Sequence, residues 1–332
     1  MRLWSWQNQD VQLVHTFDRH AGCVRAVAFS PDAKFLASRD DQGVVCLWSV
    51  ATQNLIYSFS GRQVWIYSIV FSPDGQTLAL TEHSQLIQLW STDSGKLLRE
   101  LHAGTSAVTS VAFAPNGQIL ASAGYGHSLN LWSASDGQLI HRFTGLRVTP
   151  RMVAFAPNSQ MTAAATDDNS VRIWSIASRK LVHVIAGIRF SNTHANSNLV
   201  FSRRGDILAT GTADGTIQQR LIPHEASNSI RVGNCRTKRV PDLAFSSDQK
   251  LLASASADGI RLWAVGTPHM PNLVNELAIL AASGATSVTF SQDSAFLVIG
   301  AEGGKLYLHQ SFQDTTPRSS RSQGIVLNTH TR

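Results

Sequence analysis

Cysteine is scarce. Cys23, Cys46 and Cys235 are the three in 332 residues, and no metal-type spacing links them. An odd, sparse count excludes a disulfide scaffold and reads as small buried hydrophobes. Charge is scarce as well, at 15% of residues, and the net +6 is modest for this length. That is weak footing for a nucleic-acid surface. No apolar run approaches the roughly 20 residues of a membrane-spanning helix. The N-terminus offers only Leu3 to Trp6 before Gln7-Asn8-Gln9-Asp10, too short and too quickly polar for a signal peptide. The expectation is a soluble, cytoplasmic chain, monomeric or part of a larger complex, without membrane insertion.

Catalytic signatures are missing too. The chain has no HExxH, no GxSxG, no GxxxxGK(S/T) and no carboxylates clustered at metal spacing. Its 12 histidines are scattered. His15, His141 and His183 recur at one place in a repeated pattern, which suits a solvated outer strand better than a ligand set. The chain is therefore read as no enzyme, with no cofactor and no metal site. A catalytic site assembled in a central channel from distant segments is the alternative.

What is abundant is repetition. Phe29, Phe71, Phe113, Phe155, Phe201, Phe245 and Phe290 open the segments FSPDA, FSPDG, FAPNG, FAPNS, FSRRG, FSSDQ and FSQDS. Subtracting positions gives separations of 42, 42, 42, 46, 44 and 45 residues. A period of about 40–45 holding several turn signals is a propeller-type repeat. Nineteen residues after the Phe stands Trp48, Trp90, Trp132 or Trp174, and Trp263 comes one residue early. Arg220 and His309 take that place in the fifth and seventh copies.

The punctuation inside each unit predicts four strands. Ser-Pro-Asp-Gly is a turn: Pro presets φ, Asp bonds its own backbone, and Gly takes positive φ. Apolar runs such as Phe35-Leu36-Ala37 follow, then Asp/Gly hairpin signals such as Asp214-Gly215 and Asp258-Gly259. A β-branched run ending in Leu-Trp comes next. A second turn, such as Ser94-Gly95, leads to an outer run such as Leu97-Leu98. The inner strands are apolar on both alternate sets of positions, as in Val44-Val45-Cys46-Leu47-Trp48, which is how a strand buried on both faces reads. Blades packed face to face around an axis bury both faces and leave only short edges.

On these residues the chain resembles the WD-repeat β-propeller family, over roughly residues 11 to 310. The resemblance implies an all-β fold: one seven-bladed propeller of four-stranded antiparallel blades. The repeat cores are expected near 24–59, 66–101, 108–143, 150–185, 196–232, 240–280 and 285–310, with 11–17 completing the last blade and closing the ring. Residues 311–332 are expected to be a polar, disordered tail, with 324–329 as a competing closing strand. The first six residues are read as a remnant of a longer repeat array.

There are departures from the family pattern. The Asp of the Trp-Asp pair is Ser49, Ser91, Ser133, Ser175 or Ala264. The family's Asp–His–Ser–Trp hydrogen-bond network is expected only in blade one, from His20, Ser38, Asp41 and Trp48, with Gln42 in the usual Asp position. Asp168, Asp214 and Asp258 hold the equivalent turn positions in blades four to six. Phe201-Ser202-Arg203-Arg204-Gly205 resembles the Phe-Arg-Arg-Gly motif of phosphoinositide-binding propellers, but it aligns with the Ser-Pro-Asp-Gly turns and reads as a turn with two solvated arginines.

Function is sought in the loops. The blade-entrance loops hold Arg19, Arg62, Arg147, Arg189, Arg236, Lys238 and Arg239 against one acid, Asp18. The hairpin loops on the same face hold Asp40, Asp41, Glu82, Asp167, Asp168, Asp214, Asp258 and Glu302, with Arg39 as the exception. The two sets nearly cancel and are expected to pair with each other. Six and four residues before the register Phe, at the channel mouth, stand Cys23/Arg25, Trp65/Tyr67 and Thr149/Arg151 among others. Exposed Trp, Tyr and Arg dominate binding hot spots, and in the family this end commonly grips peptides or partner domains. The expected partner site is therefore Arg25, Arg62, Trp65, Tyr67, Arg147 and Arg151, for a protein or peptide. Binding of acidic surfaces, nucleic acid or lipid head groups, through Arg236–Arg239 is a further alternative.

Overall fold

The computed structural model describes residues 2–7, 10–16, 19–60, 66–82, 84–104, 106–188, 199–212, 215–222, 229–234, 240–246, 248, 250–265, 276–280, 284–291, 296–301 and 305–310. Every element among them is a β-strand. Strands β1 (Arg2–Gln7) and β2 (Asp10–Thr16) form a hairpin. The first four-stranded sheet runs β3 (Val24–Phe29), β4 (Phe35–Asp40), β5 (Val44–Ser49) and β6 (Leu55–Ser60). The second runs β7 (Ile66–Phe71), β8 (Thr77–Glu82), β9 (Leu86–Ser91) and β10 (Leu97–His102). The third holds β11 (Val108–Phe113), β12 (Ile119–Gly124), β13 (Ser128–Ser133) and β14 (Leu139–Phe143). The fourth holds β15 (Pro150–Phe155), β16 (Met161–Thr166), β17 (Ser170–Ser175) and β18 (Lys180–Ala186).

Two more four-stranded sheets follow. One is β19 (Leu199–Phe201), β20 (Ile207–Gly211), β21 (Thr216–Leu221) and β22 (Ser229–Asn234); the other is β23 (Asp242–Phe245), β24 (Leu251–Ser256), β25 (Gly259–Ala264) and β26 (Glu276–Leu280). A three-stranded sheet ends the series with β27 (Ala285–Phe290), β28 (Phe296–Ala301) and β29 (Lys305–Gln310). Each sheet is an antiparallel meander in chain order, and each innermost strand packs against the next sheet's innermost strand. This is an all-β propeller of four-stranded blades. β27 also packs against β3, where Thr286 Oγ1 donates to Val24 O at 2.8 Å. The strand beside β29 is β1, with β2 paired to it on the far side. The sequence pattern assigns residues 11–17 to that inner place, whereas the chain sets Arg2–Gln7 there and stacks Asp10–Thr16 outside it.

The turn chemistry explains the blade. Asp32 Oδ1 accepts from Ser30 Oγ and from Lys34 N, while Ser30 Oγ accepts from Phe35 N at 2.9 Å. The copies at Ser72–Asp74 and Ser246–Asp248 repeat these bonds. In the FSRRG copy Ser202 receives Ile207 N, Gly205 has φ 74°, and Arg203 and Arg204 are exposed, as a variant turn requires.

Alternation then splits each strand between two cores. Cys46 and Trp48 of β5 lie with Val24, Val27 and Val298 of the last sheet. Val45 and Leu47 lie with Ile69, Phe71, Leu78 and Leu80 of the second sheet. Burying both faces in this way supplies the hydrophobic stabilisation, at about 25 cal/mol per Å² of apolar surface removed from water.

Candidate functional site

Five of the innermost strands share a defect at one end. The ladder register slips between Val24 and Ala26, Ile66 and Ser68, Val108 and Ser110, Pro150 and Met152, and Ala285 and Ser287. Each slip is a β-bulge, which leaves one residue unpaired and re-aims its side chain. The unpaired residues are Arg25, Tyr67, Thr109, Arg151 and Thr286, all four positions before the register Phe. Periodicity locates these positions but says nothing of the bulge.

The bulges stitch blades together. Arg39 Nη2 donates to Tyr67 O at 2.9 Å, Thr109 Oγ1 to Arg151 O at 2.8 Å, and Thr286 Oγ1 to Val24 O at 2.8 Å. A carbonyl at or beside each of these bulges thus receives a donor from the blade before it, as a buried acceptor requires.

A line of arginine and tyrosine runs through this end across four blades. Arg25 pairs with Asp41 at 3.3 Å and lies close enough to Arg39 for their charges to repel. Arg39 is 3% exposed. Burial first, and Arg25 second, pull its guanidinium down to about 9 against a weaker pull upward from Asp40. Tyr67 follows, its phenol pushed up by burial and by Tyr125 beside it. The Arg151 guanidinium lies over the Tyr125 ring, 5.5 Å from its centroid, a cation–π contact.

Of the expected partner residues, Arg25, Tyr67 and Arg151 are brought onto this line. Arg147 is exposed in the loop before β15. Arg62 and Trp65 lie outside the described residues, as do Asp214 and Arg236–Arg239. Tyr67 corrects the expectation of an exposed aromatic: it is 4% exposed, and its main-chain oxygen receives Arg39. Arg39 and Tyr125 are the members that sequence reasoning missed. Arg39 sits among hairpin acids and is visible only as the exception there; Tyr125 lies in the β12–β13 turn with no repeat signal.

Of the entrance-loop cations expected to cancel the hairpin acids, only Arg19 and Arg147 lie among the described residues, and neither pairs with a described acid. The acids find partners within their own blades: Asp40 with His20, Asp41 with Arg25, Asp168 with Arg172, Asp258 with Arg261. Three of these four partners sit on strands or a bulge rather than in entrance loops. Asp168 is held below the usual carboxylate range: burial pushes it up, but Thr166, Ser170 and Arg172 outweigh that.

Blade one completes the hydrogen-bonded network with one change of residue. Trp48 Nε1 donates to Ser38 Oγ at 2.8 Å, His20 Nε2 stands 2.6 Å from the same oxygen, and His20 Nδ1 is 3.0 Å from Asp40 Oδ2. The repeat predicts Asp41 here; the carboxylate found is Asp40's. Asp40 closes β4, faces inward, and accepts Gln42 N and Val44 N with its other oxygen. Asp41 lies one step into the turn and accepts Cys23 N instead. Trp132 and Trp263 keep the indole bond to Ser122 and Ser254 at 2.9 Å each. In blade three Gly104 stands where His20 stands in blade one, and a cavity of about 120 Å³ remains beside Ser122, Gly124 and Asn130. Trp90 instead bonds Gln88 and stacks on Phe59 at 4.2 Å.

A rival surface exists on the rim. Leu98, Leu139, Ile140, Leu181, Val182 and Val184 on the outermost strands are 40–53% exposed. Among the described residues no three His, Cys, Asp or Glu side chains gather to hold a metal ion, and no helix is long and apolar enough to cross a membrane.

Comparison with known proteins agrees with this geometry. No curated protein matches the chain. Among solved structures it is similar to one titled "Structure of U3-55K", with a TM-score of 0.73 at 20% identity over 85% of this chain and 89% of that one. The family described as "WD domain, G-beta repeat" matches residues 11–49, 53–91, 95–133, 137–175 and 227–263, more than half of the sequence. The stretches left between and after these matches contain Arg220 and His309, the two copies without the Trp. The chain belongs to the WD-repeat family of β-propellers.

Proposed function

We propose that the chain is a non-catalytic interaction scaffold, a closed ring of seven blades that holds a peptide or partner domain on its blade-entrance face. The ring reading is supported by the unbroken circuit of innermost-strand contacts, including β27 against β3, and β1 beside β29 extends the last blade. The observation that carries the binding reading is the row of bulged residues at one end, Arg25 and Arg151 among them, beside the exposed Arg147. Arg25 is exposed and Arg151 half-exposed there, and arginine among aromatics is the chemistry of binding hot spots. Arg62 and Trp65 are kept as part of this site from the sequence. A cytoplasmic location is part of the same proposal.

Affinity capture with the full chain tests it. Native protein should recover a partner that the double variant Arg25→Ala, Arg151→Ala recovers at least tenfold less well. Equal recovery by both, with both folded, removes the site from this face.

A further inference from the structure

The charge arrangement says what such a partner should carry, and this inference rests on the peptide-binding reading above. Arg151 is the bulge residue of β15, half-buried, with one face of its guanidinium covered by Tyr125. Its Nε is buried and bonds nothing. No carboxylate of the described residues pairs with it, and none pairs with Arg19 or Arg147. Of the acids described at this end near Arg151, Asp41 is engaged by Arg25 and Cys23 N, Asp167 by Thr149 N and Asp168 by Arg172. Behind Arg151 the line continues through Tyr125 and Tyr67 to the buried Arg39. Among the described residues, this end therefore presents a stacked, pre-oriented guanidinium and further cations with no carboxylate partner. A guanidinium fork held by a ring matches a planar carboxylate or a phosphate, bonding it through two N–H groups at once.

We propose that Arg151 is the receptor for an anionic side chain of a bound peptide, an acidic or a phosphorylated residue. The positive charge of the exposed Arg147 favours the same sign of ligand without touching it in the same way. Loss of one charge-assisted pair corresponds to roughly tenfold to a hundredfold in affinity.

The test has two arms on the full-length chain. In the first, inorganic phosphate and acetate are titrated against thermal unfolding. A rise in Tm in the native protein that Arg151→Gln lacks supports the proposal; no rise, or an equal rise in both, overturns it. In the second, peptides differing at one position as Ser, Glu or phosphoserine are offered to native, Arg151→Gln, Arg151→Lys and Arg147→Gln proteins of matched circular dichroism. Binding that requires Glu or phosphoserine, falls tenfold or more in Arg151→Gln and partly survives in Arg151→Lys supports it. The preferred member of the pair tells carboxylate from phosphate. Peptides bound equally with Ser, or an Arg151→Gln affinity within twofold of native, overturn it. Capture of single-stranded RNA in preference to every peptide also overturns it. Anion stabilisation through Arg151 with no peptide retained would leave the anion site standing and sink the scaffold reading instead.

Discussion

Arg39 of the first blade donates from Nη2 to the main-chain oxygen of Tyr67 in the second, at 2.9 Å. One bond thus joins a buried cation to a bulge, and the bulge residue's carbonyl would otherwise face the interior without a donor. Threonine is the donor to the bulge residue's carbonyl at Thr109–Arg151, and at Thr286–Val24 it serves the residue just before the bulge. Replacing Thr109 by Val keeps the shape and removes the donor. The expected cost is about 1–2 kcal/mol, read as a lower midpoint in urea. No change in midpoint would show that Arg151 O finds another donor.

Asp40, not Asp41, should prove the stabilising carboxylate of blade one. Asp40→Asn is expected to cost about 1–3 kcal/mol because the Asp40 carboxylate and its partner His20 are fully buried side chains. Asp41→Asn should cost under about 1 kcal/mol, since its pair with Arg25 is half-exposed. The pH dependence has a fixed sign. Burial pushes the Asp40 carboxyl up, but the bonds from His20, Val44 N and Gln42 N outweigh it and hold it below the usual range. Its contribution is therefore present above the unfolded value of about 3.9 and lost as pH falls through the lower folded value. Stability measured from pH 6 to pH 2 should fall more steeply in native protein than in Asp40→Asn.

Two turn residues offer opposite outcomes for one substitution. Ala33 and Ser159 sit at φ 55° and 58°, where Gly75 and Gly117 stand in sister copies. Left-handed backbone costs a side chain about 1 kcal/mol, so Ala33→Gly should stabilise by up to about that amount. Ser159 Oγ also accepts Asn116 N from the neighbouring blade. Ser159→Gly loses that bond, and its net gain should be smaller or negative. Chemical unfolding of both variants beside native protein reads the difference.

Gly124 is required by contact rather than by φ. A Cβ there would stand 2.2 Å from Ala107 O, a main-chain atom that cannot swing away. Gly124→Ala should cost about 1–3 kcal/mol and widen the cavity mouth beside Ser122. Unchanged thermal stability would show that β11 shifts freely.

Much of the blade is legible in the sequence because its determinants are local. Ser-Pro-Asp-Gly fixes a turn through bonds spanning five residues, and Val44 to Trp48 reveals a two-faced strand by composition alone. The line of Arg25, Arg39, Tyr67, Tyr125 and Arg151 is not legible in the same way. Its successive members lie 14, 28, 58 and 26 residues apart, off the repeat spacing, and bulges and loop geometry bring them together. The Asp40/Asp41 choice turns on a single residue of strand length, which periodicity does not resolve. Pairing of acids with strand arginines was hidden for the same reason: Arg172 and Arg261 look like ladder residues until their side chains are placed.

Photochemical crosslinking tests the central claim most directly. Benzoylphenylalanine is placed at Arg147 on the blade-entrance face, at Val182 on the apolar rim, or at Asn116 in a turn of the opposite end. The full chain carrying it is then irradiated with its captured partner. The account expects crosslinked partner from position 147 and little from 182 or 116. Crosslinking chiefly from 182 or 116, with position 147 silent, would contradict it.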